Sequence, residues 1–317
     1  MNATVPDSFS PPAKLSSMVE TLLNPTDSLS HAQSLTRQLA HAHYENFSVI
    51  STLLPKHLRQ DFCNVYAFCR IADDLGDEID DPQTSLNYLA QFREQLRECY
   101  QKNPTAAVFV ALADTISRHS IPIEPFLDLI DAFEQDQRVH RYQTFEELLD
   151  YCRRSANPVG SIVLYMCGYS DAHRQQLSDF TCTALQLANF WQDVHRDVSD
   201  LDRIYLPTDS MKKFGVTEEQ IRQFRCDENF RALLKFEVDR TEDLFAKGES
   251  LPSLLDASVR SQIALFTQGG RAILQAIRKQ NYDTLSHRPS LSALQKSRLI
   301  ARVMTSKIFG RFRRARA

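Results

Sequence analysis

Apolar residues recur at intervals of three and four along nearly all of the chain from about Ser30 onward. In the segment 83–100, one stripe of an amphipathic helix would be formed by Leu86, Leu89, Phe92 and Leu96. Similar periods occur in the segments 122–137, 143–154, 172–200, 228–248, 257–282 and 290–309. Only 8 of the 317 residues are glycine, which argues against β-rich folds and phosphate-binding glycine loops. The sequence therefore predicts an all-α, single-domain protein.

Composition narrows the class of protein further. The formal net charge of −3 gives no indication of a nucleic-acid partner. The seven cysteines form no CxxC pair, which indicates reduced thiols in a cytoplasmic protein. No apolar run approaches the ~18 residues that a membrane-spanning helix needs. We expect a loosely ordered leader over residues 1–27, a helical domain over 28–306, and a basic C-terminal tail over 307–317.

A first acidic motif lies in the segment 70–81, which reads RIADDLGDEIDD and holds six carboxylates. On a helix, Asp73 and Asp77 share one face, with Asp80 close to the same line. Like charges one turn apart destabilise a helix by a few tenths of a kcal/mol, and a bound divalent cation would reverse that effect. The motif predicts a cation site, and the alternative is an acidic helix end exposed to water.

A second motif lies in the segment 184–198, ALQLANFWQDVHRDV. One polar stripe on this otherwise apolar helix would consist of Gln186, Asn189, Asp193 and Asp197. A polar stripe is costly to bury without partners, and carboxylate and amide oxygens suit Mg²⁺ rather than zinc. Packed helices lie about 8–10 Å apart, which leaves room between two carboxylate pairs for hydrated Mg²⁺ and a diphosphate. Arg70 is a candidate diphosphate ligand or, alternatively, an ion-pair partner of Asp73.

The two motifs occur in a combination typical of one enzyme family. DDLGDE (73–78), QLANFWQDVHRD (186–197) and RIYLP (203–207) resemble the squalene/phytoene synthase family of head-to-head prenyl synthases. The resemblance extends from about His41 to Arg288 and implies an all-α isoprenoid-synthase bundle around a central cavity. It also implies a prenyl diphosphate substrate.

Three shorter segments resemble one branch of the family. HYENF (43–47), RRSANPVG (153–160) and NFWQDV (189–194) are similar to the hydroxysqualene synthases of bacterial hopanoid biosynthesis. That branch implies ionisation of presqualene diphosphate, rearrangement of the carbocation and capture by water, with Mg²⁺ as cofactor and no NADPH. Two alternatives remain, namely condensation of two farnesyl or geranylgeranyl diphosphates and a non-catalytic assembly factor with the same fold.

The resemblance also implies roles for individual residues. Mg²⁺ would be held by Asp73, Asp77, Asn189, Asp193 and Asp197. The substrate would be bound by His43, Asn46, Phe47, Arg70, Gln186, Asn189, Arg203, Tyr205 and Arg288. Tyr151 matches a tyrosine that manages proton or cation chemistry, and the alternative is a core tyrosine.

The chain departs from the family pattern at two places. Arg203 lies six positions after Asp197, one more than the resemblance predicts, and Asp202 replaces a usual glycine. Gly269-Gly270 stands where relatives often carry a tyrosine, which would enlarge the pocket or allow closer helix packing. The basic tail 307–317 predicts peripheral contact with anionic membrane, and the alternative is a solvated tail.

Overall fold

A computed structural model describes residues 16–43, 54–292, 294–295 and 297–298, with only the backbone described at His43. Regular structure in these residues is helical, and β-structure is confined to two isolated bridges, Pro25 to Ala106 and Arg141 to Ile204. The α-helices are α1 (Ser17–Leu23), α2 (Leu29–His43), α3 (Arg59–Asp77), α4 (Pro82–Tyr100), α5 (Ala107–His119), α6 (Glu124–Asp136), α7 (Phe145–Ser155), α8 (Asn157–Met166), α9 (Ala172–Gln192), α10 (Val194–Leu201), α11 (Thr208–Phe214), α12 (Glu218–Arg222), α13 (Glu228–Lys247) and α14 (Ala257–Lys279). Short 3-10 helices span Lys56–Leu58 and Leu251–Leu254. The predicted all-α class is confirmed.

The chain forms two compact units, residues 1–138 and 139–317. In the first unit, α3 packs against α2, α4, α5 and α6. Its core contains Phe68, whose ring centroid lies 5.1 Å from that of Phe92 and 5.0 Å from that of Phe126. Helix α4 begins where Asp81 accepts a 2.8 Å hydrogen bond from the Thr84 amide, with Pro82 in its first turn.

A buried polar network ties α3 to α5 in the same unit. Asp61, in the first turn of α3, is fully buried. Its carboxylate accepts hydrogen bonds from Thr115 Oγ1 at 2.9 Å and Arg118 Nη1 at 3.0 Å, and it lies 3.0 Å from His119 Nε2. A buried carboxylate is stable only when its oxygens are paired in this way.

In the second unit, α9 packs against α8, α13 and α14. The close helix packing predicted for the glycine pair is present at Gly270 on α14, whereas the predicted enlargement of the pocket stays a prediction. A Cβ at Gly270 would lie 2.7 Å from Leu185 Cδ2, so glycine is needed for the close approach of α14 to α9. A Cβ at Gly269 would meet nothing within 4 Å, so this glycine leaves open space beside the helix.

Two boundary predictions are wrong. Residues 17–23, inside the predicted loose leader, form α1 and bury Val19, Leu22 and Leu23, because these apolar side chains fall on one helical face. The segment 172–200, predicted as one helix, is interrupted at Asp193. No helix in the described parts of the chain is both long and apolar enough to cross a bilayer.

Candidate active site

The first aspartate motif occupies the C-terminal end of α3. The helix ends at Asp77, and its last turn contains no basic residue. Asp73 is partly exposed and Asp77 is exposed, whereas Asp74 between them is buried. Carboxylates at the negative end of the helix dipole are unfavourable, and a bound cation would relieve this repulsion. Asp80 lies beyond the helix end, so it does not continue the face of Asp73 and Asp77 as predicted.

Arg70 lies one turn before this motif and is paired mainly with Asp74. Its Nη2 bonds Asp74 Oδ1, and its Nη1 lies 3.5 Å from Asp73 Oδ2. Burial alone would lower the pKa of Arg70, but Asp74 and Asp73 raise it above its ordinary value. The predicted ion pair with Asp73 is therefore present, and Arg70 remains a cation beside the exposed aspartates.

Two side chains that sequence reasoning missed hold this helix end in place. Ser85 Oγ donates a 2.7 Å hydrogen bond to the Leu75 carbonyl, and Gln137 Nε2 donates a 2.8 Å bond to the Gly76 carbonyl. The last carbonyls of a helix have no partner within the helix, so these bonds satisfy them. They thereby fix the turn that carries the aspartates.

The second motif surrounds the break between α9 and α10. Asp193 is the residue between the two helices, with φ −105° and ψ 15°. Its amide still donates to the Asn189 carbonyl at 2.9 Å, and the Asp197 amide donates to the Asp193 carbonyl at 2.8 Å. Asn189, Asp193 and Asp197 therefore remain on successive turns, as predicted, despite the break.

The electrostatics of this motif suit a hard cation. Burial, and after it the charge of Asp193, raise the pKa of Asp197 to about 7, although the charge of Arg203 opposes them. A cation beside Asp197 would favour its ionised form. Asn189 is exposed and Gln186 half-buried on α9, so amide oxygens accompany the carboxylates. Oxygen donors are the ligands that Mg²⁺ prefers, and the set fits it.

Neither motif is a complete metal cage. Among the described residues, no three His, Cys, Asp or Glu side chains are grouped so as to hold a metal ion. Mg²⁺ usually keeps several waters and binds one or two carboxylates together with substrate phosphates. Two carboxylates per motif match that mode of binding.

Arg288 reaches the second motif from a distant part of the chain. Its Nε donates to Asp193 Oδ1 and its Nη2 to Asp193 Oδ2 at 3.0 Å, a bidentate pair. The residues on both sides of Arg288 are anchored at the break between α9 and α10. Gln192 Nε2 donates to the Pro289 carbonyl at 2.6 Å, and His195 Nδ1 lies 2.6 Å from the Leu285 carbonyl oxygen.

Arg203 lies on the other side of α10 and is buried. Its amide donates a 2.9 Å hydrogen bond to the Asp197 carbonyl. Asp202, just before it, has a left-handed backbone with φ +52°. That conformation explains in physical terms why a glycine would suit this position.

Four aromatic side chains form a buried group in the same unit. The rings of Tyr205 and Phe190 stack with centroids 3.7 Å apart, and Tyr151 lies 6.0 Å from Tyr205. Tyr142, which sequence reasoning missed, lies 5.4 Å from Tyr151 and 5.9 Å from Tyr205. We call Tyr142, Tyr151, Phe190 and Tyr205 the aromatic cluster. It lies next to the second motif, since Phe190 is one turn before Asp193.

Several predicted residues cannot be placed. Asn46, Phe47 and the tail 307–317 lie outside the described residues, as does the side chain of His43.

Comparison with known proteins identifies the family. A family model described as squalene/phytoene synthase matches residues 40–295. The chain belongs to the squalene/phytoene synthase family. Family members similar to it include the 15-cis-phytoene synthase of Synechococcus elongatus, 30% identical over 82% of this chain and 88% of the relative. The hydroxysqualene synthase of Zymomonas mobilis is 31% identical over 77% of this chain and 82% of the relative.

Solved structures of squalene/phytoene synthase relatives share the fold. The squalene synthase HpnC from Alicyclobacillus acidocaldarius has a TM-score of 0.78 and 44% identity, covering 84% of this chain and 99% of its own. A dehydrosqualene synthase in complex with a ligand has a TM-score of 0.79 and 25% identity, covering 88% and 97%. The protein is therefore an enzyme of this family with the predicted isoprenoid-synthase fold. Family membership assigns prenyl diphosphates as its substrate class.

Proposed function

We propose that this enzyme converts presqualene diphosphate into hydroxysqualene and inorganic diphosphate. The observation that carries the proposal is the second motif, where two carboxylates and two arginines meet around the α9–α10 break. Asp193 binds Arg288, and Asp197 is joined through its carbonyl to Arg203. Oxygen donors beside guanidinium groups suit a diphosphate that leaves as an anion.

Each polar group then has a defined task. Arg203 and Arg288 would bind oxygens of the diphosphate and orient it, with Arg70 acting from the first motif. Mg²⁺ would be held by Asp73, Asp77, Asn189, Asp193 and Asp197. When bound, Mg²⁺ neutralises the negative charge that develops on the leaving diphosphate.

The aromatic cluster supports the carbocation half of the reaction. The C–O bond of presqualene diphosphate breaks with both electrons going to the diphosphate, leaving a cyclopropylcarbinyl cation. The side chains of Tyr151, Phe190 and Tyr205 are buried, and aromatic rings attract cations. Buried apolar walls also keep water away during rearrangement.

Capture of the carbocation by water completes the proposed reaction. The oxygen of one water adds to the rearranged allylic cation and releases a proton, which gives an alcohol. Nothing is oxidised or reduced overall, so the reaction requires no NADPH. The choice of this branch is supported by HYENF, SANPVG and NFWQDV, and by the 31% identity to the hydroxysqualene synthases of Zymomonas mobilis and Sinorhizobium fredii.

The second candidate is condensation of two farnesyl or geranylgeranyl diphosphates. It is supported by phytoene synthases at a similar identity, including that of Arthrospira platensis at 31%. The deciding assay supplies purified protein and Mg²⁺ with presqualene diphosphate, farnesyl diphosphate or geranylgeranyl diphosphate in H₂¹⁸O. We expect ¹⁸O-labelled hydroxysqualene from presqualene diphosphate. Turnover of farnesyl diphosphate with none of presqualene diphosphate would overturn the proposal.

A double variant separates catalysis from an assembly role. Asp73→Asn with Asp193→Asn removes one charge from each aspartate motif and leaves the helical core unchanged. We expect loss of Mg²⁺-dependent turnover at unchanged thermal stability without ligand. Full turnover by this variant would contradict the roles assigned to both motifs.

A further inference from the structure

The turn between α10 and Arg203 contains an unusual residue. Asp202 follows the last residue of α10 with φ +52° and ψ +33°, and its amide and the Arg203 amide both donate to the Asp197 carbonyl. This is a common way to end a helix, but the left-handed residue is normally glycine. A Cβ makes this conformation less favourable than it is for glycine, so contacts between Asp202 and other segments would help to hold it.

Those contacts come from two arginines in other segments. Asp202 Oδ1 accepts hydrogen bonds from Arg141 Nη2 at 3.0 Å and from Arg222 Nη2 at 2.6 Å. The Asp202 carbonyl also accepts from Arg141 Nη1. Glu218 Oε1 accepts from the same two arginines, at 2.7 and 2.9 Å. We call Arg141, Asp202, Glu218 and Arg222 the Asp202 cluster.

The charges of this cluster balance. Hydrogen bonds from Arg141 hold the pKa values of both Asp202 and Glu218 below their usual range, and Arg222 contributes in the same direction. Both carboxylates are therefore ionised at neutral pH and face two cations. A shared network of this kind fixes geometry better than an isolated pair.

The cluster is continuous with the loop that carries the predicted substrate ligands. Arg141 belongs to a segment that pairs with residues 204–208 through its backbone. The Ile204 amide donates to the His140 carbonyl at 3.0 Å, and the Thr208 amide to the Tyr142 carbonyl at 2.9 Å. The loop that holds Arg203 is thus attached at its first residue, Asp202, by side-chain bonds to Arg141 and Arg222. Farther along, backbone hydrogen bonds attach it to residues 140–142.

We propose that Asp202 is a positioning residue: its bonds to Arg141 and Arg222 fix the turn that holds Arg203 against Asp197, and so set the affinity for diphosphate. This inference rests on the proposed function, which makes Arg203 a diphosphate ligand.

The exposure of the cluster makes the inference testable. The side chain of Asp202 is 57% exposed, so its ion pairs contribute little to the stability of the fold. Glycine accepts φ +52° without strain, so Asp202→Gly keeps the backbone permitted and removes only the carboxylate. Asp202→Asn keeps an acceptor oxygen and tolerance of the left-handed backbone.

The matched control is Asp239→Asn on α13. Asp239 also accepts from two basic side chains, Lys235 at 2.5 Å and Arg278 at 3.4 Å, but carries no predicted ligand beside it. The first readout is thermal stabilisation of each full-length protein by inorganic diphosphate at saturating Mg²⁺. The second is the division of any loss between KM and kcat for presqualene diphosphate.

We expect Asp202→Gly to unfold at nearly the wild-type temperature without ligand. It should require about tenfold more diphosphate for half-maximal stabilisation, the size expected when a charge-assisted hydrogen bond is lost. KM should rise by a similar factor with a smaller change in kcat. Asp202→Asn should lie between Asp202→Gly and wild type, and Asp239→Asn should match wild type.

A wild-type response to diphosphate in Asp202→Gly would overturn the inference. If Asp202→Gly fails to fold, Arg222→Gln removes one partner without altering the left-handed residue, and it must show the same shift. Failure of the proposed function gives a different result, because the wild-type protein itself would then show no turnover of presqualene diphosphate, whereas the comparison of diphosphate stabilisation between wild type and Asp202→Gly does not depend on that substrate.

Discussion

Replacement of Asp61 tests whether the buried polar network of the first unit holds α3 and α5 together. Asp61→Ala removes the acceptor of the bonds from Thr115 and Arg118 and the partner of His119. The hydroxyl proton of Thr115 would lose its acceptor in a fully buried position. The free energy of unfolding should therefore fall substantially.

The magnitude follows from the exposure of the partners. Removing one member of a buried ion pair costs about 3–5 kcal/mol when the other charge stays buried. The Arg118 side chain is 43% exposed and can turn toward water. We therefore expect a loss at the lower end of that range, about 3 kcal/mol.

Asp114→Ala is the matched control, because Asp114 binds the same guanidinium. Its carboxylate accepts from Arg118 Nη2 at 2.7 Å, but its side chain is 26% exposed. We expect this variant to lose about 1 kcal/mol or less. Urea denaturation followed by circular dichroism measures both losses, compared at an unchanged m value. Equal losses in the two variants would refute the assignment of Asp61 as the stabilising carboxylate.

Three further predictions concern pH, substrate binding and membranes. Burial raises the pKa of Glu237 from 4.5 to about 7 although Arg240 pairs with it, so the folded state holds its proton more firmly than the unfolded state. The free energy of unfolding should therefore fall as pH rises from 4.5 to about 7. Urea denaturation at a series of pH values measures this dependence. If a Glu237→Gln variant shows the same dependence on pH as wild type, the prediction is contradicted. Arg288→Ala should lower kcat/KM for presqualene diphosphate by about 10²-fold in steady-state assays, and Arg288→Lys should recover part of this loss. An unchanged kcat/KM in Arg288→Ala would show that Arg288 does not belong to the site. A protein truncated to residues 1–306 should co-sediment less with phosphatidylserine vesicles than the full-length protein. The reason is that each basic residue near an anionic surface contributes about 1 kcal/mol to binding. Equal sedimentation of the two proteins would exclude the tail as the membrane contact.

Local periodicity explains what could be predicted from the sequence. The stripe Asn189, Asp193 and Asp197 depends only on the helical repeat, and the hydrogen bonds along it preserve that repeat through the break. The pairing of Arg70 with Asp73 is equally local, being three residues apart. Such features need no knowledge of tertiary contacts.

Long-range contacts explain most of what was missed. Gln137 is 61 residues from Gly76, whose carbonyl it satisfies. Tyr142 joins the aromatic cluster because residues 140–143 pair through their backbone with the loop after α10. The periodicity of the sequence does not predict that pairing. Asp74, rather than Asp73, became the main partner of Arg70 because packing buries one side of α3 and leaves the other exposed.

The anchoring of Arg288 has a consequence for the order in which the second motif can form. Arg288 is 95 residues from Asp193, and its two anchors, Gln192 with Pro289 and His195 with Leu285, span 97 and 90 residues. Closing a loop of that length costs chain entropy before any contact compensates for it, and synthesis delivers the distal end last. The aspartates of a growing chain are therefore complete well before the arginine arrives. A partly folded chain can expose its carboxylates, but it cannot assemble the charge-paired motif until the segment 285–289, which follows α14, has docked.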